Sequence, residues 1–269
     1  MKPADTRIAP GSKARLSKRD PDANGVAGKD KAAARARLEA THARLESLQE
    51  LLYAEGRHKL LIVLHAMDTA GKDSTIRHVF RGVDPLGVKV ACFKAPTPEE
   101  QAHDFLWRVH PHVPGAGEIA IFNRSHYEDV LITRVKGWID AAECKRRYRQ
   151  INDFENMLAE TGTTILKFYL HISKDEQKKR LEARRDTPDK QWKFQPGDLA
   201  VRAQWGDYMD AYEAALSATS TAHAPWHVIP ANSKLARNLM VSGLLIDTLE
   251  GLDMRYPKPA AGTADTVIV

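Results

Sequence analysis

The sequence predicts an α/β fold: one central parallel sheet of about five strands, wound by helices. Three observations carry that reading. Five short apolar runs recur along the chain: LLIVLH with its core at 61–65, VKVACF (88–93), EIAIFN (118–123), TILKFYLHI (164–172) and WHVIPA (226–231). Their Val, Ile and Leu residues are continuous rather than alternating, the pattern of strands buried on both faces. Helical stretches separate them, which argues for crossover connections and a parallel sheet. Ligands bind beyond the carboxyl ends of such strands, so the chemistry should follow His65, Phe93, Asn123 and Ile172.

The elements follow in order. Residues 1–30 are rich in Lys, Arg, Asp, Pro and Gly, and read as an extended or partly disordered basic arm. From Lys31, AAARARLEATHARLESLQELLYAE sets Leu38, Leu45 and Leu52 a heptad apart with Leu48 between them. That is an amphipathic helix whose apolar stripe packs on the domain body; the repeat is short for a coiled coil. No internal repeat or second core is visible, so residues 31–260 form one domain with a basic helical insertion at about 174–205. Residues 261–269 read as a flexible tail. His103, His110 and His112 lack the spacing of a metal site and read as packing or loop residues. Trp107, Trp138, Trp205 and Trp226 read as core or interface anchors.

Composition narrows the class. With 43% hydrophobic and 28% charged residues, the chain can bury a core and stay in solution. No apolar run approaches the ~20 residues that span a bilayer, and the N-terminus lacks a secretory pattern. Cys92 and Cys144 stand far apart and read as free thiols of a reducing compartment, so a cytoplasmic protein is expected. The net charge of +5 suits a polyanionic ligand without choosing among nucleotide, nucleic acid and inorganic phosphate chains.

The first strand runs into AMDTAGKDS, which has the strand, small-residue turn and helix of a phosphate-binding loop. Two positions depart from G-x-x-x-x-G-K-[ST]: Ala66 replaces the first glycine and Asp73 the hydroxyl residue. Ala70 and Gly71 allow close approach of an anion, and the helix start at Ser74 aims free N–H groups at it. Lys72 adds a cation. Asp73 repels phosphates unless it points away, and Asp68 is placed to hold magnesium instead. A plain strand-to-helix turn with a solvated lysine fits this stretch too. The third strand ends in Asn123-Arg124-Ser125-His126-Tyr127-Glu128-Asp129, with Arg134 beyond. Arg124 suits bidentate phosphate binding; Glu128 and Asp129 suit a metal or a base's amino group. A loop of paired surface charges is the competing reading.

Three blocks in order, LLIVLHAMDTAGKDSTIRHVFRGVDP, AHDFLWRVHPHVPGAGEIAIFNRSHYEDVLITRV and KKRLEARRDTPDKQWKF, resemble the second family of polyphosphate kinases. The resemblance runs from about Leu45 to Pro257, and LSKRDPD in the arm fits the family's entry segment. The form FNRSHYEDVL is similar to the branch that accepts nucleoside monophosphates as well as diphosphates; other branches have aspartate at the place of Asn123. The resemblance implies a P-loop kinase-like three-layer α/β/α fold with a mobile helical lid. It implies reversible transfer of phosphate from polyphosphate to AMP or ADP, with guanine nucleotides as further acceptors. It also implies Mg2+, with Mn2+ as a substitute, and a homo-oligomer, dimer or tetramer. By position, Asp68 and Lys72 belong to the loop, Asn123 and Arg124 to the strand end, and Arg184 to the lid. Asp68 is the expected main metal ligand, because a neutral Asn123 amide binds metal weakly.

Basic residues elsewhere fit a polyphosphate chain. Arg180 and Arg184 share a helix face, and Lys193 follows in the same insertion. Arg77 and Arg81 share a face after the loop, and Lys94 ends the second strand. Each is also readable as a solvated surface charge. Two other functions stay open on sequence: a nucleoside monophosphate kinase using ATP, and a non-catalytic module for nucleotide or nucleic acid. The chain carries no helix-turn-helix, zinc or ribonucleoprotein motif, so nucleic acid and membrane are not expected partners.

Overall fold

A computed structural model describes residues 3–263. The expected tail falls largely on residues 264–269, outside the described residues. The five apolar runs are the strands β1 (Lys59–Ala66), β2 (Val88–Cys92), β3 (Ile119–Asn123), β4 (Thr163–His171) and β5 (Trp226–Pro230). All pair in parallel, in the order β2-β3-β1-β4-β5. The helices are α1 (Lys31–Glu55), α2 (Lys72–Val79), α3 (Pro98–Gln101), α4 (Glu128–Val135), α5 (Ala141–Glu160), α6 (Lys174–Asp186), α7 (Pro196–Ala203), α8 (Trp205–Thr219) and α9 (Lys234–Glu250).

The strands have two buried faces, and each face has its own core. Leu60, Ile62, Leu64 and Ile121 pack with Leu45, Leu48 and Leu52 of α1 and with Val241 and Leu245 of α9. Leu61, Val63 and Phe122 point the other way, against Val130 of α4, Ile151 and Phe154 of α5 and Tyr212 of α8. Alternate residues of a strand face opposite sides, so an unbroken apolar run is what three layers require. β2, at the sheet edge, is the half-exposed exception. The apolar stripe of α1 packs on the body as expected: Leu38, Leu45, Leu48 and Leu52 are all buried. Its ends are capped by the Asp30 carboxylate, which accepts from Ala32 N at 2.8 Å, and by Gly56 at φ 64°.

The N-terminal segment differs from a disordered arm. Ile8, Ala14 and Leu16 are buried. Ile8 N donates to Trp226 O at 2.8 Å, and Leu16 N to Glu213 Oε2 at 2.9 Å. A few spaced apolar anchors fasten a polar segment that composition alone leaves loose. The tryptophans divide: Trp226 is buried, whereas Trp138 is 68% exposed and anchors no core. His103, His110 and His112 make edge contacts with Trp107, Phe154 and Phe93, as packing residues do.

Candidate functional site

β1 is central, with β3 on one side and β4 on the other, so the chain changes winding direction beside its carboxyl end. A cleft of about 610 Å³ opens there. Asp68, Lys72, Asp73 and Ser74 from the loop, Lys94 after β2, and Asn123 and Arg124 at the end of β3 line it. Arg184 of α6 and Trp192, Lys193 and Asp198 beyond it form the facing wall. The residues expected to act together are therefore brought together.

The loop turns sharply to do this. Thr69 has φ 66° and Gly71 φ 103°. A Cβ on Gly71 would lie 2.2 Å from Arg237 Nη1, so side chain and backbone both demand glycine here. Lys72 Nζ folds back to donate to Ala66 O at 3.2 Å. Burial, and then Arg124, pull its ammonium below the usual lysine range, against Asp68, Glu128 and Asp73. Arg124 occupies the left-handed region at φ 62°, which throws its side chain into the cleft, where Nη2 donates to Asp68 Oδ1 at 3.0 Å. Burial works against the Arg124 guanidinium, but Glu128 and Asp68 hold it more firmly charged than usual.

Asp73 does not point away from the cleft. Its Oδ1 accepts from Asn123 Nδ2 at 2.7 Å, so the residue replacing the loop's hydroxyl is held by the amide that ends β3. Glu128 lies in a smaller pocket of about 60 Å³ with Asp68, Arg124, Tyr208 and Tyr212. Burial raises its carboxyl, against the pull of Arg124 and Lys72. Among the described residues no three His, Cys, Asp or Glu side chains gather into a metal cage. Asp68, with Asp73 in the same cleft, fits a hard divalent cation that takes its other ligands from phosphates and water.

Other expected residues stand elsewhere. Arg77, on α2, and Arg81, in the turn beyond its end, are both exposed outside the cleft, so the expected common helix face does not form; Arg81 faces Glu39 at 3.9 Å. Asp129 turns toward α5, 3.8 Å from Arg147, and Arg134 is exposed at the last turn of α4. Ala70, expected at the phosphate, is buried outside the cleft lining, and its backbone is engaged within the protein: its N–H donates to Met67 O at 3.2 Å and its C=O accepts from Arg180 at 2.8 Å and Arg237 at 3.2 Å. Arg180 corrects the expectation of a polyphosphate ligand. Its five N–H groups go to Glu176 Oε1 and to the carbonyls of Thr69, Ala70, Ala231 and Asn232, at 2.7–3.2 Å. No donor is left for a phosphate. One helical turn on, Arg184 does reach the cleft, 3.7 Å from Asp198.

Sequence reading missed several residues. Trp192 is 73% exposed yet lines the cleft, with Lys193 Nζ 4.9 Å from its ring centroid. Beneath the β3–α4 turn, Lys167 Nζ donates to Glu155 Oε2 at 2.5 Å, Tyr127 Oη at 2.8 Å and Thr219 O at 2.7 Å. A lysine inside the apolar run TILKFYLHI was the available signal, since a buried cation needs an anion. Gln177 and Arg237, which grip the loop from behind, gave none.

Comparison with known proteins agrees with this geometry. A model of the polyphosphate kinase 2 (PPK2) family matches residues 28–257. The chain is 55% identical over 262 residues to the AMP/ADP-polyphosphate phosphotransferase of Meiothermus ruber, covering 97% of this chain and 98% of that one. It is 48% identical to the ADP-polyphosphate phosphotransferase of Rhodopseudomonas palustris, covering 80% and 78%. The crystal structure of polyphosphate kinase 2 from Arthrobacter aurescens TC1 superposes with a TM-score of 0.94 at 52% identity, covering 98% of this chain and 95% of that one. A loop, strand end and basic wall that meet in one cleft thus coincide with a match over most of the sequence, and the chain belongs to the polyphosphate kinase 2 family.

Proposed function

We propose that this protein transfers the terminal phosphoryl group of inorganic polyphosphate to AMP and ADP, with guanine nucleotides as further acceptors. The observation that carries the reading is the cleft itself. Lys72, Lys94, Arg124, Arg184 and Lys193 surround Asp68 in a space large enough for two phosphorylated molecules. The names of the M. ruber and R. palustris relatives support polyphosphate as donor and AMP and ADP as acceptors.

The chemistry asks little of a base, because the attacking oxygen already belongs to an anionic phosphate. Catalysis rests on alignment and charge neutralisation. Lys72 and the N–H groups at the start of α2 hold the donor phosphates, Arg124 spans donor and acceptor, and Arg184 covers the transferring group. Asp68 would hold Mg2+, or Mn2+ in its place, and the ion would supply further neutralisation of phosphate oxygens. Residues of about 174–205 act as a lid that excludes water. The exposed Trp192 indole offers a stacking face that any nucleobase can use. One phosphoanhydride is exchanged for another, so the reaction is reversible. The two free thiols fit a cytoplasmic protein, here taken as a dimer or tetramer.

Purified protein incubated with polyphosphate and AMP, ADP, GMP or GDP, with and without Mg2+, gives ADP and ATP in the adenine series by chromatography. No phosphorylated nucleotide with Mg2+ present rejects the reading. Product formed only when ATP replaces polyphosphate identifies an ordinary nucleotide kinase.

A further inference from the structure

Side chains of α6 and α9 grip the backbone of the loop after β1. Gln177 Nε2 donates to Asp68 O at 3.1 Å, Arg180 Nη1 to Thr69 O at 3.2 Å and Ala70 O at 2.8 Å, and Arg237 Nη1 to Ala70 O at 3.2 Å. Three consecutive carbonyls are thus drawn to one side by side chains from α6 and α9. A trans peptide is planar, with its C=O and the next N–H pointing opposite ways. Pinning the Asp68 and Ala70 carbonyls behind the loop therefore turns the N–H groups of Thr69 and Gly71 to the front, where both residues line the cleft. The intervening Ala70 N–H closes a turn onto Met67 O at 3.2 Å. The Thr69 and Gly71 N–H groups, facing one way on either side of that turn, offer an anion a pair of backbone donors.

The grip is built, not incidental. Arg237 is fully buried, its Nε and Nη2 held by Asn238 Oδ1 at 3.0 and 2.8 Å, and its Nη2 also reaches Ser74 Oγ at 3.3 Å. Arg180 joins the loop to the segment after β5 through Ala231 O and Asn232 O, while Glu176 fixes its Nε. Gln177 is itself held by Arg202 Nη1, which donates to its Oε1 at 3.1 Å.

We propose that Gln177, Arg180 and Arg237 are positioning residues for phosphoryl transfer. They hold the carbonyl edge of residues 68–70 from behind, so that a loop with alanine at its first glycine position keeps an N–H edge toward the donor phosphates. Because Gln177 and Arg180 lie on α6, the same clamp fixes the helix that carries Arg184 relative to the loop. The clamp rests on the phosphotransfer reading of the cleft. Arg180 thereby acts on phosphate through the backbone and not as a ligand.

A lysine keeps the charge of Arg180 but lacks the planar fork that spans four carbonyls. Three variants test the clamp: Arg180→Lys, Arg180→Met and Gln177→Leu. Calorimetric binding of inorganic tripolyphosphate at several salt concentrations is measured beside kcat and KM with AMP and polyphosphate. The thermal midpoint reports folding. For Arg180→Lys the expected result is about a tenfold or greater loss of both tripolyphosphate affinity and kcat, KM for AMP within twofold, and an unchanged salt slope, since no phosphate contact is lost. Gln177→Leu moves affinity and kcat in the same direction, by about threefold. Wild-type affinity and kcat in Arg180→Lys, with a shallower salt slope in Arg180→Met, show a direct phosphate ligand and overturn the clamp. Should Arg180→Lys fail to fold, unchanged tripolyphosphate affinity in Gln177→Leu overturns it equally. Wild-type protein that binds tripolyphosphate but phosphorylates no nucleotide defeats the functional reading and leaves the binding test of the clamp standing.

Discussion

Replacing Lys167 by methionine removes the cation from the buried network under the β3–α4 turn. Lys167 and Glu155 are both fully buried, and Lys167 serves three acceptors. Without it the Glu155 carboxylate keeps Tyr127 Oη at 2.8 Å and His126 Nε2 at 3.4 Å, and the Thr219 carbonyl loses its Lys167 partner. Breaking a buried pair from one side costs about 3–5 kcal/mol, and an orphaned carbonyl adds about 1–3 kcal/mol. Protonation of Glu155 limits the sum, so a loss of about 4 kcal/mol is expected. That is a large share of a typical stability of about 5–15 kcal/mol, and for a chain this size about 8–15 °C in Tm. Burial pulls the Glu155 carboxyl up, but Lys167 and His126 together hold it below the usual range. With Lys167 gone the carboxyl rises above its unfolded value, so the deficit should grow with pH and be smaller at pH 5 than at pH 8. Urea unfolding at both pH values measures it. The double variant Lys167→Met, Glu155→Leu should recover most of the loss, because a buried pair exchanged whole for apolar side chains is often neutral. A single variant within about 1 kcal/mol of wild type, or a double variant no better than the single, refutes the reasoning.

The remaining expectations concern pH, metal and base. Burial, with Arg7 second, pushes the His227 imidazole from 6.5 down to about 4. The unfolded chain then binds the extra proton, so stability is full above pH 6.5 and falls as pH drops toward 4, by about 3 kcal/mol. His227→Gln should flatten that window in pH-dependent denaturation; an unchanged profile assigns the acid sensitivity to other groups. Asp68→Asn should lower Mg2+-dependent turnover by about 10²–10³-fold, the scale of losing one charge-organising group, and near-normal activity dismisses Asp68 as the metal residue. Trp192→Ala should raise KM for AMP by about tenfold, within the range of base–aromatic stacking, while KM for polyphosphate stays put. Equal effects on both substrates would instead make the indole a structural part of the wall.

What the sequence revealed depended on whether the cause was local. Burial on both faces writes itself into a strand as continuous Val, Ile and Leu, so all five strands and their parallel winding were legible. The site's position followed, because a parallel sheet offers one edge for ligands. Asn123 and Arg124 stand at the end of β3, and Asp68 and Lys72 in the short passage from β1 into α2, and all four were found that way. Arg180 was misplaced because sharing a face with Arg184 fixes direction but not position along the helix axis. One turn earlier, the same direction meets loop carbonyls instead of the cleft. Gln177 and Arg237 act on residues 109 and 167 positions away, contacts that exist only after winding. Arg77 turns to solvent and Arg81 falls in the turn beyond α2, and nothing in their spacing shows where that helix stops. Trp192 looks like any aromatic in a charged insertion until its surroundings are known.

The N-terminal segment carries a consequence for how the chain comes together. Arg7 bridges to His227, and Ile8 N binds Trp226 O, so the outer flank of β5 is covered by the beginning of the same polypeptide. Thr6, Ile8 and Leu16 find these partners 197 to 221 residues further on. Residues synthesised early must therefore wait until α8 and β5 have emerged, and closure of that side of the sheet is a late event in biogenesis. Until then the last strand presents bare amides, which neighbouring nascent chains can capture.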